Sequence, residues 1–420
     1  MTPSPTPGAR VSPRLIVLAA LAVLPLVACS GEPDPSPRDS SAGGDENHGE
    51  FAGAVELAEP ALGLTTVDAA GVVRHLDLLD ESVSELAGVG DASGVHTDGR
   101  FAFVQTSGGV DVVDSGVWTW DHVDHFHYYR AEPREVGTVP GTGPATVATT
   151  NSSTSGGSGV FFGESGEAVL LDTEALADGE LVERYRVSTT PHDGLLVPVG
   201  DLALVTEPDA SGTAARVLTL DGDGRPVPGG AHPCPDAQGT ITTRVAAVIG
   251  CADGALLASV VDDELQVERI PYPPGTSAPA ATSFAGRDGR PTVAALAGED
   301  RVWLLDTRAE SWTLLESPVP LAQVTAVDDD DEHVVGLSTD GRVVVLDGGS
   351  GELLGTSGRL VAASLRSGVG VPTMVADQQR VYLSAPAEKR LYEVDFADDA
   401  RVARTFETPT RPLYVAGTGR

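Results

Sequence analysis

The sequence predicts an all-β fold, and three observations lead to this prediction. A short apolar strand that ends in aspartate recurs along the chain, and we call each terminal aspartate a mark. The marks are Asp68, Asp114, Asp172, Asp221, Asp262, Asp306, Asp347 and Asp395. Two apolar runs precede each typical mark and one follows it, and successive marks are 41 to 58 residues apart. Valine, threonine and glycine are frequent, and no helical periodicity of any length follows the first 28 residues. Four short strands per unit, repeated radially, make a β-propeller.

The number of marks and the ends of the repeat region define the expected architecture. Eight marks favour eight blades, and seven would follow if Asp262, the weakest mark, is not a true repeat. Too little chain precedes Asp68 for a full blade, whereas a surplus strand at 412–416 follows the last mark. We expect this C-terminal strand to join the first blade and close the ring, because closure hides the sheet edges. The aspartates are expected to bond the next backbone N–H groups and set each turn.

The first 50 residues are expected to lie outside this fold. Residues 1–28 have the pattern of a bacterial lipoprotein signal peptide, with basic residues, a short apolar run and small residues before Cys29. Cys29 would then be lipidated, and an ordinary signal peptide is the alternative. Residues 29–50 are rich in Ser, Pro, Gly, Asp and Glu and predict a disordered acidic tether. Residues 51–420 would form a single propeller domain at the outer face of the cell membrane.

Charge and cysteine usage narrow the possible partners. A formal net charge of −34 disfavours nucleic acid as a partner and raises the local concentration of cations. Beyond Cys29, the chain has only Cys234 and Cys251. An exported protein meets an oxidising compartment, so we expect these two cysteines to pair. Two thiolate ligands for zinc are the alternative.

A dense group of candidate metal ligands falls in the longest gap between marks. The whole chain has only nine histidines, and three of them fall within six residues together with an aspartate. The four candidate ligands are His122, Asp124, His125 and His127. Neutral imidazole and carboxylate are ligands that zinc prefers. The group lies between the third strand of its blade and a plausible fourth strand at 135–139. We therefore interpret residues 117–133 as an insertion on a rigid scaffold, and the alternative is a polar surface loop.

The spacing of these ligands is compatible with a further metal ligand from another part of the chain. Extended chain would place His122 and Asp124 on one side and the other two histidines opposite, so a turn is required. His192, just ahead of the inner strand of its blade, is the best further candidate, and a hydrogen-bonded channel histidine is the alternative. His96 occupies a similar place in another blade unit. Flanking aromatic residues are expected to bury the loop and orient the imidazoles: Trp118, Trp120, Phe126, Tyr128 and Tyr129.

These segments resemble a known family. The stretch from Trp118 to Tyr129, the Pro191-His192 site and the segments around Cys234 and Cys251 are similar to the zinc metallochaperones of Azt-type zinc ABC transporters, the AztD family. The resemblance covers most of the propeller, and the histidine loop is its most specific part. It implies a propeller that binds zinc near its centre and passes it to the solute-binding protein of the transporter. The ligands it implies are His122, Asp124, His125, His127 and His192. Gln238 stands where the family tends to have a histidine.

We therefore expect an exported, lipid-anchored zinc-binding protein without enzymatic activity. Two other function classes stay open: a metal-dependent, lactonase-like hydrolase on a propeller, and a non-catalytic interaction propeller. The sequence has no Gly-x-Ser-x-Gly elbow and no HExxH helix to support the hydrolase. The metal content of the purified protein separates the interaction propeller from the other two classes, and turnover on ester or lactone substrates identifies the hydrolase.

Overall fold

The computed structural model describes residues 51–121 and 125–420 of the chain. Two helices, α1 (Thr173–Asp178) and α2 (Ala362–Ser367), are each six residues long. Within the described ranges, no helix is long and apolar enough to cross a membrane. The predicted signal peptide, Cys29 and the tether lie outside the described residues, as do His122 and Asp124.

The rest of the regular structure is β-strand. The first half of the chain contributes β1 (Val55–Leu57), β2 (Gly63–Asp68), β3 (Val72–Asp77), β4 (Val83–Gly88), β5 (Gly94–Thr97), β6 (Phe101–Thr106), β7 (Gly109–Asp114), β8 (Val117–Asp121), β9 (Phe126–Arg130), β10 (Arg134–Pro140), β11 (Ala145–Thr149), β12 (Gly157–Phe162), β13 (Glu167–Asp172), β14 (Glu183–Ser188), β15 (Leu196–Val199), β16 (Leu202–Pro208) and β17 (Ala214–Leu220). The second half contributes β18 (Pro226–Pro233), β19 (Gln238–Thr242), β20 (Ala247–Cys251), β21 (Gly254–Val261), β22 (Glu264–Pro271), β23 (Thr292–Leu296), β24 (Arg301–Asp306), β25 (Ser311–Glu316), β26 (Leu321–Ala326), β27 (His333–Ser338), β28 (Arg342–Asp347), β29 (Leu353–Arg359), β30 (Met374–Ala376), β31 (Arg380–Ala385), β32 (Arg390–Asp395), β33 (Arg401–Glu407) and β34 (Pro412–Thr418).

Eight antiparallel sheets of three or four strands follow one another along the described chain. Sheet 1 has the order β34-β2-β3-β4 and sheet 2 the order β5-β6-β7-β10. Sheets 3, 4 and 5 are formed by β11 to β14, β15 to β18 and β19 to β22; sheets 6, 7 and 8 are formed by β23 to β25, β26 to β29 and β30 to β33. A separate three-stranded sheet, β1-β9-β8, contains the strand that ends just before His122 and the strand that includes His127. The predicted all-β class and the four-stranded repeat are confirmed.

The apolar core lies between the sheets. Central strands such as β28 are buried along most of their length, and their sequences are therefore continuous apolar runs. The described residues contain eight apolar clusters, and each lies mainly between two successive sheets. One of them joins the last sheet to the first and includes Leu64, Leu391 and Phe406. Each sheet thus buries side chains on both faces, against the sheet before it and the sheet after it.

The recurring aspartates act on the turns, as expected. Six of the eight accept hydrogen bonds from backbone N–H groups of the turn that follows. Asp172, for example, accepts from Glu174 and Ala175 and so caps the N-terminus of α1. Asp262 differs, because it has a φ of 52° and lies in the tight turn between β21 and β22.

The C-terminal strand completes the first sheet. β34 pairs with β2 over the register from Gly63 opposite Thr418 to Asp68 opposite Pro412. The predicted surplus strand is therefore present, and it extends two residues past Ala416.

One equivalence expected from the sequence is wrong. Asp68 ends β2, the second strand of sheet 1, whereas the typical mark ends a third strand. The residue in the corresponding position is Asp77, at the end of β3, and its Oδ1 accepts from the backbone N–H of Leu79 at 2.8 Å. The reason is that β34 supplies the first strand of sheet 1, so the chain enters this sheet at its second strand.

The histidine cluster interrupts sheet 2, in the place that the sequence predicts. β10 pairs with β7, for example at Glu135 opposite Val113, and is the fourth strand of that sheet. Between β7 and β10 the chain leaves the sheet, and β8 and β9 pair with each other as an antiparallel hairpin. β1 adds to the free side of β9. The insertion at 117–133 is therefore built mainly from a hairpin, which we call the histidine hairpin (β8 and β9).

Cys234 and Cys251 form a disulfide, and the alternative of two thiolate ligands does not fit the structure. Both cysteines are buried, and the bond joins residues 17 positions apart. Closing a loop of this length should stabilise the fold by about 3 kcal/mol, mainly by restricting the unfolded chain.

We expect the double variant Cys234→Ala, Cys251→Ala to unfold with a free energy about 3 kcal/mol lower than the wild type under oxidising conditions. Urea denaturation followed by tryptophan fluorescence measures this difference. Reductant should lower the wild-type midpoint and leave the variant unchanged. Equal midpoints for the two oxidised proteins would contradict the stabilising role.

Candidate metal centre

The histidine hairpin gathers aromatic and histidine side chains on one face. Trp120 lies opposite His127 and Trp118 lies opposite Tyr129, and side chains of directly opposed residues share a face of the sheet. The rings of Trp120 and His127 are stacked with centroids 5.4 Å apart, and those of Trp118 and Tyr129 are stacked at 5.2 Å. We call these four residues the aromatic face.

Two of the predicted ligands lie side by side. The ring centroids of His125 and His127 are 4.5 Å apart, in an edge-on arrangement. His125 is exposed and His127 is half-buried beside Trp120. The pair therefore has one imidazole open to solvent and one held in place by aromatic packing.

A carboxylate that the sequence did not single out contacts His127. Oε1 of Glu56 lies 2.8 Å from Nδ1 of His127. Glu56 is on β1, directly opposite Tyr129 of β9, and β1 thus brings it to the aromatic face. Glu56 and His127 are 71 residues apart in the chain, and no local pattern in the sequence indicates this contact.

A buried ion pair lies beneath the aromatic face. Nε and Nη2 of Arg100 donate to the two carboxylate oxygens of Asp114, at 2.9 and 2.8 Å. The same guanidinium lies 3.8 Å from the centre of the Trp118 ring, which is close enough for a cation–π interaction. Asp114 also accepts from the backbone N–H of Gly116, where the chain leaves β7 for the hairpin.

His192 lies in a different setting. It precedes β15 at the start of sheet 4 and is buried against Phe161. Its Nδ1 donates to the carbonyl oxygen of Thr190 at 2.7 Å, and its Nε2 accepts from Oγ1 of Thr206 at 2.8 Å. Both ring nitrogens are therefore engaged, and the hydrogen bonds connect the loop before β15 to β16.

Two other histidines are neutral structural groups. His96 on β5 shares a hydrogen bond of 3.1 Å with Thr149 on β11, and burial lowers its pKa to about 4. Burial likewise lowers the pKa of His75 to about 4, and its Nδ1 lies 3.3 Å from Oγ1 of Thr418. Gln238, in turn, donates from its amide to Asp236 at 2.8 Å on an exposed edge.

The structure thus brings together part of the predicted ligand set. His125 and His127 meet, His192 does not join them, and His122 and Asp124 lie outside the described residues. In the ranges 51–121 and 125–420, no three His, Cys, Asp or Glu side chains form a group that could hold a metal ion. A zinc ion usually takes four ligands, so the described residues supply only part of a coordination shell.

We expect Asp114→Ala to lower the free energy of unfolding by about 3–5 kcal/mol, because it leaves Arg100 buried without its partner. Asp306→Ala is the matched control, since Asp306 ends β24 but caps a more exposed turn. That control should cost about 1 kcal/mol, as the loss of a cap does. Chemical denaturation of both variants provides the comparison, and equal losses would rule out a special role for the Arg100 pair.

Comparisons with known proteins identify the fold. No protein-family model matches the chain, and no curated protein matches it. The crystal structure of AztD from Citrobacter koseri superposes with a TM-score of 0.74, at 20% identity over 86% of this chain and 98% of that chain. Apo AztD from the same organism gives 0.73, at 19% identity over the same shares. Dihydro-heme d1 dehydrogenase NirN in complex with DHE gives 0.52, at 14% identity over 88% of this chain and 80% of that one. The chain therefore shares the fold of AztD.

Proposed function

We propose that this chain is an exported zinc-binding protein of the AztD type, which holds zinc at the histidine hairpin and delivers it to the solute-binding protein of a zinc ABC transporter. The observation that carries the proposal is the pairing of His125 with His127 on a hairpin whose aromatic face fixes one imidazole. The shared fold with AztD supports it. The role is binding and delivery, without turnover.

The proposed ligands come from the insertion at 117–133, within strand β9 and between strands β8 and β9 in the sequence. His122, Asp124, His125 and His127 would provide three imidazoles and a carboxylate, which match the ligand number and type that zinc prefers. His192, also predicted from the sequence, would first have to give up its bonds to Thr190 and Thr206. We therefore rank the hairpin residues ahead of His192.

The chemistry of this ligand set suits delivery. It contains no thiolate, because both cysteines of the domain are in a disulfide. Imidazole and carboxylate ligands exchange in an oxidising compartment without a redox step. The net charge of −34 favours the approach of cations, and one imidazole of the pair is exposed to an incoming acceptor.

The proposed architecture is a closed propeller of eight blades. The eight successive sheets, the apolar cluster between sheets 8 and 1, and the pairing of β34 with β2 support this arrangement. In it, the histidine hairpin is an insertion between the third and fourth strands of the second blade. The rigid blade would position the site, and the hairpin would provide the ligands.

We expect the full-length protein, purified in detergent, to bind zinc stoichiometrically in competition with a chelator. The double variant His125→Ala, His127→Ala should weaken binding by more than about 100-fold, since losing ligands exceeds the cost of losing an outer-shell partner. His232→Ala is the control, because His232 lies on β18 and is bonded to Thr219. Stoichiometric binding that survives the double substitution would refute the site.

The proposal also includes a membrane anchor. A lipid on Cys29 and a tether at 29–50 would hold the domain on average about 25 Å from the outer face of the membrane. This reach would keep the domain close to the outer face of the membrane.

We expect Cys29→Ser to move the protein from the membrane fraction to the soluble fraction of fractionated cells, because the lipid attachment site is lost. The double variant Cys234→Ala, Cys251→Ala should stay in the membrane fraction. Membrane association of the Cys29→Ser protein at the wild-type level would refute the lipid anchor.

A further inference from the structure

The first described segment of the chain, residues 51–57, packs on the aromatic face. Its strand β1 has only three residues and pairs with β9 through Val55, Glu56 and Leu57. A hydrogen bond of 3.1 Å from the backbone N–H of Ala54 to the carbonyl oxygen of Phe51 turns the chain just before β1. This turn allows Phe51 and Glu56 to contact the same aromatic face.

Phe51 is the aromatic contact of this segment. Its ring meets Tyr129 at 4.9 Å, Trp118 at 5.4 Å and Trp120 at 5.9 Å, each in an edge-to-face arrangement. Trp120 in turn stacks on His127. Phe51 therefore restricts the indole that fixes the plane of the His127 ring.

Glu56 is the polar contact. An ionised carboxylate can only accept a hydrogen bond, so the 2.8 Å contact requires Nδ1 of His127 to be the protonated nitrogen. In a neutral imidazole, Nε2 then carries the lone pair that binds a metal. Histidine ligands of metals commonly donate their other nitrogen to a carboxylate, which fixes the tautomer and the ring orientation.

We infer that Glu56 is a positioning residue for His127, and that docking of segment 51–57 on the hairpin and zinc binding at the hairpin stabilise each other. This inference rests on the proposed function. Glu56 acts through His127 and contributes no ligand. Segment 51–57 directly follows the tether, so the linkage connects the tethered end of the domain to its metal site.

The linkage is reciprocal. If docking of the segment raises the affinity for zinc, then zinc stabilises the docked segment by the same factor. A strand of three residues adds few backbone hydrogen bonds, and we expect zinc to shift the equilibrium between the docked and the undocked segment toward the docked form. Removal of the segment would release both the carboxylate and the aromatic restraint at once.

The test compares zinc affinity in full-length variants by chelator competition. Glu56→Ala should weaken zinc binding by about 10- to 100-fold, the usual effect of losing such a partner. Glu56→Gln should lie between Glu56→Ala and the wild type, because the amide oxygen still accepts but is uncharged. Glu59→Gln is the matched control, an exposed carboxylate three positions along the chain, and should bind as the wild type does.

Hydrogen exchange supplies a readout that a purely structural role would not change. Zinc should slow amide exchange in 51–57 of the wild type, and this protection should be reduced in Glu56→Ala. Because Glu56 is 55% exposed, its substitution should leave the unfolding midpoint of the zinc-free protein unchanged. This control separates positioning from a loss of fold.

Two negative outcomes are distinguishable. Absence of zinc binding by the wild type, or binding that survives loss of His125 and His127, overturns the proposed function together with this inference. The inference alone is overturned if the wild type binds zinc at the hairpin and Glu56→Ala binds it with the same affinity. It is also overturned if zinc does not change amide exchange in 51–57.

Discussion

The arrangement of the candidate site depends on one buried ion pair, Arg100 with Asp114. The side chains are 2% and 1% exposed, so both charges have left water, and their attraction has to offset that desolvation. The bidentate geometry helps, and so does the Trp118 ring on the guanidinium. Asp114 ends β7 and Arg100 precedes β6, so the pair belongs to sheet 2. Trp118 belongs to the hairpin. The interaction therefore fixes the base of the hairpin to the sheet from which it emerges.

Local sequence patterns account for much of the fold. Strand and turn signals predict the repeats, the insertion at 117–133 and the C-terminal strand, because each of these features depends on residues that are close together in the sequence. The repeat pattern wrongly predicts that Asp68 ends the third strand of its sheet. Its true position depends on β34, which lies more than 340 residues away in the chain and supplies the first strand of sheet 1. A local pattern cannot report which distant strand completes a sheet.

The same limit applies to the site. The nearness of His125 and His127 follows from their spacing, but the contact from Glu56 crosses 71 residues and depends on the pairing of β1 with β9. His192 illustrates the opposite case. Its type and position suit a ligand, yet its two hydrogen bonds within sheet 4 make it part of the turn that precedes β15. Residue type suggests what a side chain can do, and its bonded neighbours decide whether it is available.

The pairing of β34 with β2 has a consequence for the order of assembly. Hydroxyl groups of Thr65 and Thr418, 353 positions apart in the chain, lie 3.2 Å from each other. Sheet 1 begins to be synthesised before the other sheets but gains its first strand only when the last residues are available. Until then β2 presents an unpaired edge, and contacts of such long sequence separation form slowly. Sheet 1 therefore stays incomplete until β34 has paired with β2, and the chain is most open to misassembly while the edge of β2 is still unpaired.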